Sequence, residues 1–336
     1  MTPHKISWLN MPGYKPETWN PIIGCTEKSE GCKNCFAKRM AHRLMHMPHT
    51  SYYQFVLADN GEDDPEKFKN IPEWNGQTHL VKSKLTEPMK WKSPRMVFTV
   101  DMGDLFHESV PFEWIDAVFT VMSDLDQHIY ILLTKRPERI LELFCWKILR
   151  SGYNWRPKYN IWFGVTAENQ EQANIRIPIL LNIPAAKRFV SIEPMLGSVD
   201  LTKLQLDFAG GHYKDALGGR RYGKTTIETF KCLDWVICGG ESGSKARPMH
   251  PDWVRSVRDQ CESAKVPFFF KQWGEWMPIT RPLTSSEINV LPKHYASTSR
   301  FLQITDPYAE YYKAGKHKSG DKLDGKQHHE WPKINL

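Results

Sequence analysis

Six apolar runs, each nearly continuous rather than alternating, punctuate this chain: RMVFTVDMGD (Arg95 to Asp104), HIYILLTKRP (His128 to Pro137), NIWFGVTAEN (Asn160 to Asn169), AKRFVSIEPM (Ala186 to Met195), DWVICGGESG (Asp234 to Gly243) and VPFFFKQWGE (Val266 to Glu275). A strand takes this form when both faces of a parallel sheet are covered. Amphipathic stretches lie between the runs, among them PFEWIDAVFTVMSDL, whose proline suits a first turn, and HPDWVRSVRDQCESA. Strand then helix, repeated, predicts an α/β fold with right-handed crossovers: a complete or partial (βα) barrel. NPIIG is read as its first short strand and CKNCFAKRMAHRLMHM as its first helix.

Polar residues end every run: Asp101 and Asp104, Thr134 and Lys135, Thr166 with Glu168 and Asn169, Ser191 and Glu193, Glu241 and Ser242, Lys271 and Gln272. In a parallel barrel all strand C-termini open onto one rim, so these groups are expected to converge on a single mouth. Helix capping explains some of the Asp, Ser, Thr and Asn residues. It explains Lys135, Glu193 and Lys271 poorly. Two segments interrupt the rhythm: an insertion over about residues 48–94, and a glycine-rich stretch from Gly210 to Thr226 that reads as a surface loop. The expected organisation is a barrel over residues 1–276 and a polar C-terminal extension, 277–336, packed on it.

Composition narrows the class. With 336 residues, 40% hydrophobic and 25% charged, the chain can bury a sizeable core and is neither disordered nor fibrous. A net charge of +7 permits a polyanionic partner, yet 38 acidic residues are mixed among 45 basic ones, so there is no polycation signature. No stretch approaches the roughly 18 apolar residues of a membrane span, and the start lacks a charged head before an apolar run. A cytoplasmic protein with no membrane partner is expected. Seven cysteines in such a compartment point to metals or chemistry before disulfides. Cys145, Cys232 and Cys261, single among apolar neighbours, read as small buried hydrophobes.

The other cluster is GCTEKSEGCKNCFAKRM, in which Cys25, Cys32 and Cys35 are spaced C-x6-C-x2-C. A helix starting near Cys35 points its unpaired N–H groups back toward the loop, favouring an anionic thiolate or a sulfide-rich cluster. Three ligands hold a centre and leave one position open. An iron–sulfur centre with an open iron, a structural zinc, and plain buried or redox cysteines all fit this count. Zinc would need a fourth ligand; His42 and His46 follow on the predicted helix, at no usual spacing. The nucleobase-deaminase pattern fails, because Gly31 and not proline precedes Cys32, and His328-His329-Glu330 lies at the wrong end.

Eight blocks run in order from Thr18 to Pro332: TWNPIIGCTEKSEGCKNCFAKRMAHRL, TVDMGDLF, LLTKRPER, GVTAENQEQANIRIPILL, RFVSIEPMLGSVDL, WVICGGESGSKARPMHPDWVRSVRDQC, FFFKQWGEW and LDGKQHHEWP. In these blocks the chain resembles the phage-associated radical S-adenosylmethionine (SAM) family, similar in its barrel to spore photoproduct lyase. Radical SAM enzymes in general carry C-x3-C-x2-C, often with an aromatic residue before the last cysteine. Here the first gap is six, Asn34 precedes Cys35 and Phe36 follows it, and the family resembled shares the longer gap.

The resemblance implies that Cys25, Cys32 and Cys35 bind three irons of a 4Fe-4S cluster while SAM chelates the fourth, with a 5′-deoxyadenosyl radical released on one-electron reduction. It implies a role at the methionyl ammonium for Asp101, Gly103 and Asp104, and at ribose and carboxylate for Thr166, Glu168 and Ser191. Gly239 and Gly240, in CGGESG with Arg247 close by, are candidates for a phosphate cradle on SAM or on a nucleotide. Lys135, Glu193 and Lys271 are the candidate catalytic residues on the substrate side, with Arg136 and Gln272 beside them. Trp273 and Trp276 are candidates to stack on a base. The expected partners are DNA or a modified nucleotide and an electron donor such as flavodoxin or ferredoxin, in the host cytoplasm if the chain is phage-encoded. The implied reaction is an isomerisation in thymidine hypermodification, moving a glycyl adduct on the thymine 5-methyl from N- to C-linkage. Repair of a thymine lesion is the rival within enzymes; a zinc-stabilised nucleic-acid-binding protein is the rival outside them.

Overall fold

A computed structural model describes residues 6–58, 73–152, 156–206, 213–222, 227–229, 231–279 and 310–334. Seven parallel strands form one sheet in simple sequential order: β1 (Lys15–Trp19), β2 (Arg95–Thr99), β3 (Ile129–Thr134), β4 (Ile161–Thr166), β5 (Lys187–Ile192), β6 (Trp235–Gly239) and β7 (Phe268–Gln272). Among the described residues the longer connecting helices are α1 (Phe36–Leu44), α2 (Phe112–Asp124), α3 (Glu138–Ser151), α4 (Gln170–Asn182) and α5 (Pro251–Ala264). The architecture is a partial (βα) barrel, since β1 and β7 are the two ends of the sheet.

The continuous apolar runs are strands because both their faces are covered. On one face Val97, Tyr130, Leu132, Phe163, Val190, Val236 and Phe270 join the large core beneath the helices. On the other, Met96, Ile131, Trp162, Phe189, Trp235, Ile237 and Phe269 pack with Trp8 and Leu9 from the N-terminal segment. Trp235 is the hub of this second core, with the rings of Trp8, Trp162, Phe189 and Phe269 at 6.0, 6.3, 5.9 and 6.3 Å. Its indole N–H donates to Glu330 O at 2.7 Å. Room for these rings comes from Gly164 on β4, where a Cβ would stand 2.3 Å from Phe189 Cζ. The inside of the barrel is therefore plugged with aromatic rings, and a site inside the barrel lies beyond them, toward the strand C-termini.

Local chemistry sets the helix starts. Asn169 accepts from Gln172 N at 3.0 Å and caps α4, while Pro251 opens α5 behind His250, whose ring accepts from Asp252 N at 3.2 Å. Where a helix would join β5 to β6, the chain instead builds a four-stranded antiparallel sheet from Leu204–Gln205, Tyr213–Asp215, Arg220–Tyr222 and Ile227–Thr229. Much of the expected surface loop is thus strand: Asp215 Oδ1 accepts from Leu217 N and Gly218 N and closes a tight turn between two strands. Its flanks at 210–212 and 223–226 lie outside the described residues, as does 59–72 of the insertion.

The first strand also differs from expectation. β1 is Lys15–Trp19, upstream of NPIIG; Ile22–Ile23 pairs antiparallel with His79–Leu80. A two-residue apolar pair is too short to tell a sheet strand from a side ladder by pattern alone. At the other end of the sheet, residues 328–330 run antiparallel along β7, Phe270 N donating to His328 O at 2.8 Å and Glu330 N to Phe268 O at 3.3 Å. This covers an edge that would otherwise expose a row of unpaired backbone groups. Of the cysteines expected to be buried, Cys261 is; Cys232 is half-buried and Cys145 is exposed on α3. Helix periodicity put Cys145 beside apolar neighbours in sequence, but i and i+1 face different sides. Among the described residues no helix is long and apolar enough to cross a membrane.

Candidate functional site at the strand C-terminal rim

Above the aromatic plug lies a cavity of about 260 Å³, and Cys25, Cys32 and Cys35 all line it. Phe98, Val100 and Leu133 are part of its apolar lining; Asp101, Asp104, Thr134, Lys135, Arg136, Thr166, Glu193 and Glu241 are part of its polar border. Two glycines bring the cysteine loop to the sheet. Gly24, at φ +98°, bridges Gly103, and a Cβ on Gly103 would meet Gly24 O at 2.7 Å. Val100 ends β2 at φ 63°, a strained value for a β-branched residue, and turns the chain into the Asp101 to Asp104 corner.

The wide loop between Cys25 and Cys32 is fastened from several strands. After β3, Arg136 donates to Thr26 Oγ1 at 2.7 Å, to Asp104 at 3.1 Å and to Cys25 Sγ at 3.8 Å. After β4, Glu168 accepts from Gly31 N at 3.2 Å and from Arg176 Nη1 at 2.9 Å. After β6, Glu241 accepts from Asn34 Nδ2 at 2.9 Å, and Arg247 bonds both Glu241 and the Glu30 carbonyl. Asn34, the residue that departs from the usual aromatic, is thus a strap for the loop.

Burial pushes the Cys25 thiol up to about 12, with the Asp104 carboxylate adding to the rise and the Arg136 charge opposing it. In that protonated form Cys25 Sγ donates to Thr26 O at 3.3 Å. Cys32 Sγ accepts from Lys28 N at 3.4 Å. Burial also raises the Asp101 carboxyl and lowers the His107 imidazole, whose Nε2 faces Thr26 Oγ1 at 2.9 Å. For Glu168 and Glu241 burial alone would raise the carboxyl, but hydrogen bonding and the charges of Arg176 and Arg247 outweigh it and hold both low.

Of the residues singled out from sequence, the cavity brings together the three cysteines, Asp101, Gly103, Asp104, Thr134, Lys135, Arg136, Thr166, Glu193, Gly240, Glu241 and Ser242. Lys271 stands behind, its ammonium 2.6 Å from Glu193, and Gly239 lies against this pair. Besides Gly239, two expected cofactor contacts are not part of the cavity lining. Glu168 is 0% exposed and committed to Arg176 and the cysteine loop; Ser191 is buried within β5. Arg136, expected on the substrate side, lines the cavity but is 2% exposed, its donors spent on Glu108, Asp104 and the cysteine loop. Arg247 is held by Glu241, with Nη2 2.7 Å from its carboxylate. Trp273 and Trp276 are buried, their indoles donating to Lys322 O and Ala246 O, and so cannot stack on a base. His42 on α1 and His46 just beyond its end pack edge to face, outside the cavity lining.

Sequence reasoning missed Thr26, Asn34, Trp74 and the half-exposed Phe36, all of which line the cavity. Phe36 was legible as the residue after the third cysteine; Trp74, beyond a long insertion, carried no local signal. Among the described residues no three His, Cys, Asp or Glu side chains stand at the spacing of a single-ion site. A cluster in which each cysteine serves a different iron does not require that spacing.

Fold and site together define a partial (βα) barrel with a braced three-cysteine loop on its open rim. The chain belongs to the family described as protein of unknown function (DUF5131), which matches residues 4–332. No curated protein and no solved structure matches it.

Proposed function

We propose that this protein is a radical SAM enzyme acting on modified thymidine in DNA, as an isomerase that moves a glycyl adduct on the thymine 5-methyl from nitrogen to carbon linkage. The observation that carries the reading is the meeting of Cys25, Cys32 and Cys35 on one cavity wall at the strand C-terminal rim. The donor set fits the cofactor: three free thiols, two of them within reach of N–H donors, form a soft ligand set with no fourth cysteine beside them. Cys25, Cys32 and Cys35 would hold three irons of a 4Fe-4S cluster. When bound, the cluster with SAM supplies a primary carbon radical able to take hydrogen from an unactivated C–H bond.

The chain's own residues then have three tasks. Phe98, Val100 and Leu133 give the cavity an apolar lining that keeps water from the reacting carbon. Asp101, Gly103 and Thr166 border the space beside the cysteines and are the candidates to orient SAM. Lys135 offers a cation for phosphate or carboxylate, and Glu193, balanced by Lys271, offers a hydrogen-bond acceptor. Phe36 and Trp74 supply aromatic surface at the mouth, suited to a base drawn out of its stack.

Anaerobic purification tests the first step: brown protein with about four irons and four sulfides per chain is expected. Each single Cys→Ser change at Cys25, Cys32 or Cys35 should remove most of that iron. Reduced protein with SAM and DNA bearing N-linked glycyl thymidine should convert the nucleoside without change of mass. Restored thymine would replace the isomerase by a repair enzyme; colourless protein with one zinc would favour a nucleic-acid-binding protein.

A further inference from the structure

Resting on that cluster reading, we propose that Arg136 is a positioning residue whose charge and N–H bond to the Cys25 sulfur raise the reduction potential of the group the cysteines hold. Arg136 follows β3 and is among the largest fully buried side chains of the molecule. Its fork is spent inside the protein: Nε donates to Glu108 at 2.8 Å, Nη1 to Asp104 at 3.1 Å and Cys25 Sγ at 3.8 Å, and Nη2 to Thr26 Oγ1 at 2.7 Å. A guanidinium so engaged has no face left for a substrate phosphate.

The three sulfurs are not equivalent. Cys32 accepts a neutral peptide N–H from Lys28, whereas among the described residues Cys25 is the cysteine reached by a cationic donor. Reduction adds negative charge to an iron–sulfur group, and a cationic donor on a ligand sulfur favours the more negative state. Asp104 works the other way from the same corner, its carboxylate bonded to the same nitrogen of Arg136 and to Thr134 Oγ1 at 2.8 Å. The field at Cys25 is thus set by a pair of opposite sign, held rigidly because both members are buried.

The test is a redox titration of the full chain, purified anaerobically, counted for iron and sulfide and followed by the EPR signal of the reduced state. Arg136→Gln leaves Asp104 uncompensated and should shift the midpoint to more negative potential at unchanged iron content; Asp104→Asn should shift it the opposite way. A loaded Arg136→Gln protein with an unchanged or higher midpoint overturns the inference. If Arg136→Gln holds no iron, the Asp104→Asn protein decides: a higher midpoint supports the assignment and an unchanged or lower one refutes it. Wild-type chain without iron and sulfide would defeat the cluster reading itself, a result separable from a failure of either variant.

Discussion

Glu168→Gln is the sharpest perturbation of the cysteine loop that leaves every cavity-lining side chain in place. Glu168 is 0% exposed and Arg176 is 2% exposed, and the two meet at 2.9 Å. A glutamine can still accept from Gly31 N, so the loop strap need not vanish; what goes is the charge that balances a buried guanidinium. Removing one partner of a buried ion pair costs about 3–5 kcal/mol. Arg176 retains the Thr166 carbonyl at 2.8 Å, which places the cost at the lower end, about 3 kcal/mol. For a chain of this size or larger that corresponds to roughly 6 °C in melting temperature, at about 2 °C per kcal/mol. Arg176→Met alone should be similarly damaging, while the double variant should be much less destabilised than the sum, with a coupling of about 2 kcal/mol. Thermal and urea denaturation of the four proteins measures the cycle, and iron content after anaerobic purification should fall in Glu168→Gln. Costs that add to within about 0.5 kcal/mol would refute the pairing as the loop's anchor.

Other expectations follow from the same geometry. Gly164→Ala places a methyl 2.3 Å from the Phe189 ring and should cost about 1–3 kcal/mol in urea unfolding, recovered in part by Phe189→Leu. Gly103→Ala drives a Cβ to 2.7 Å from Gly24 O, so it should lower iron content more than its stability loss alone would; wild-type iron would show that the bridge is not needed. Asp324 is held down to about 2 chiefly by the hydrogen bond from Arg255, with Arg258 adding to it. An ordinary aspartate titrates near 3.8, so this contribution is complete above about pH 4 and is lost as pH falls toward 2. The site is 40% exposed, and solvent screening reduces the contribution to about 1 kcal/mol, which Asp324→Asn should remove at pH 7 but not at pH 2.

The six continuous runs were legible as strands because burial on both faces leaves an apolar signature that needs no partner to read. β1 was not, since KPETW carries no such run and is a strand only through its pairing with β2. The cysteine loop and the residues after each strand could be placed on one rim by topology alone. Which of them face the cavity could not, because Glu168 and Thr166 are two residues apart and one turns into the core while the other lines the space. Charge made the error systematic: Glu168, Arg136 and Arg247 looked available for ligands in sequence, yet each is engaged by an oppositely charged side chain, Arg176, Asp104 and Glu241 respectively. Trp273 and Trp276 failed for the same reason, as their indole donors are satisfied by backbone carbonyls rather than left at the surface.

The ring of indoles and phenyls around Trp235 leaves the cavity a blind end. Among the described residues the rim is the way in, so whatever sits deepest must arrive first and depart last. For the activity proposed above, this imposes a compulsory sequence: the small co-substrate loads before the polymer docks, and its remnants stay trapped until the polymer lets go.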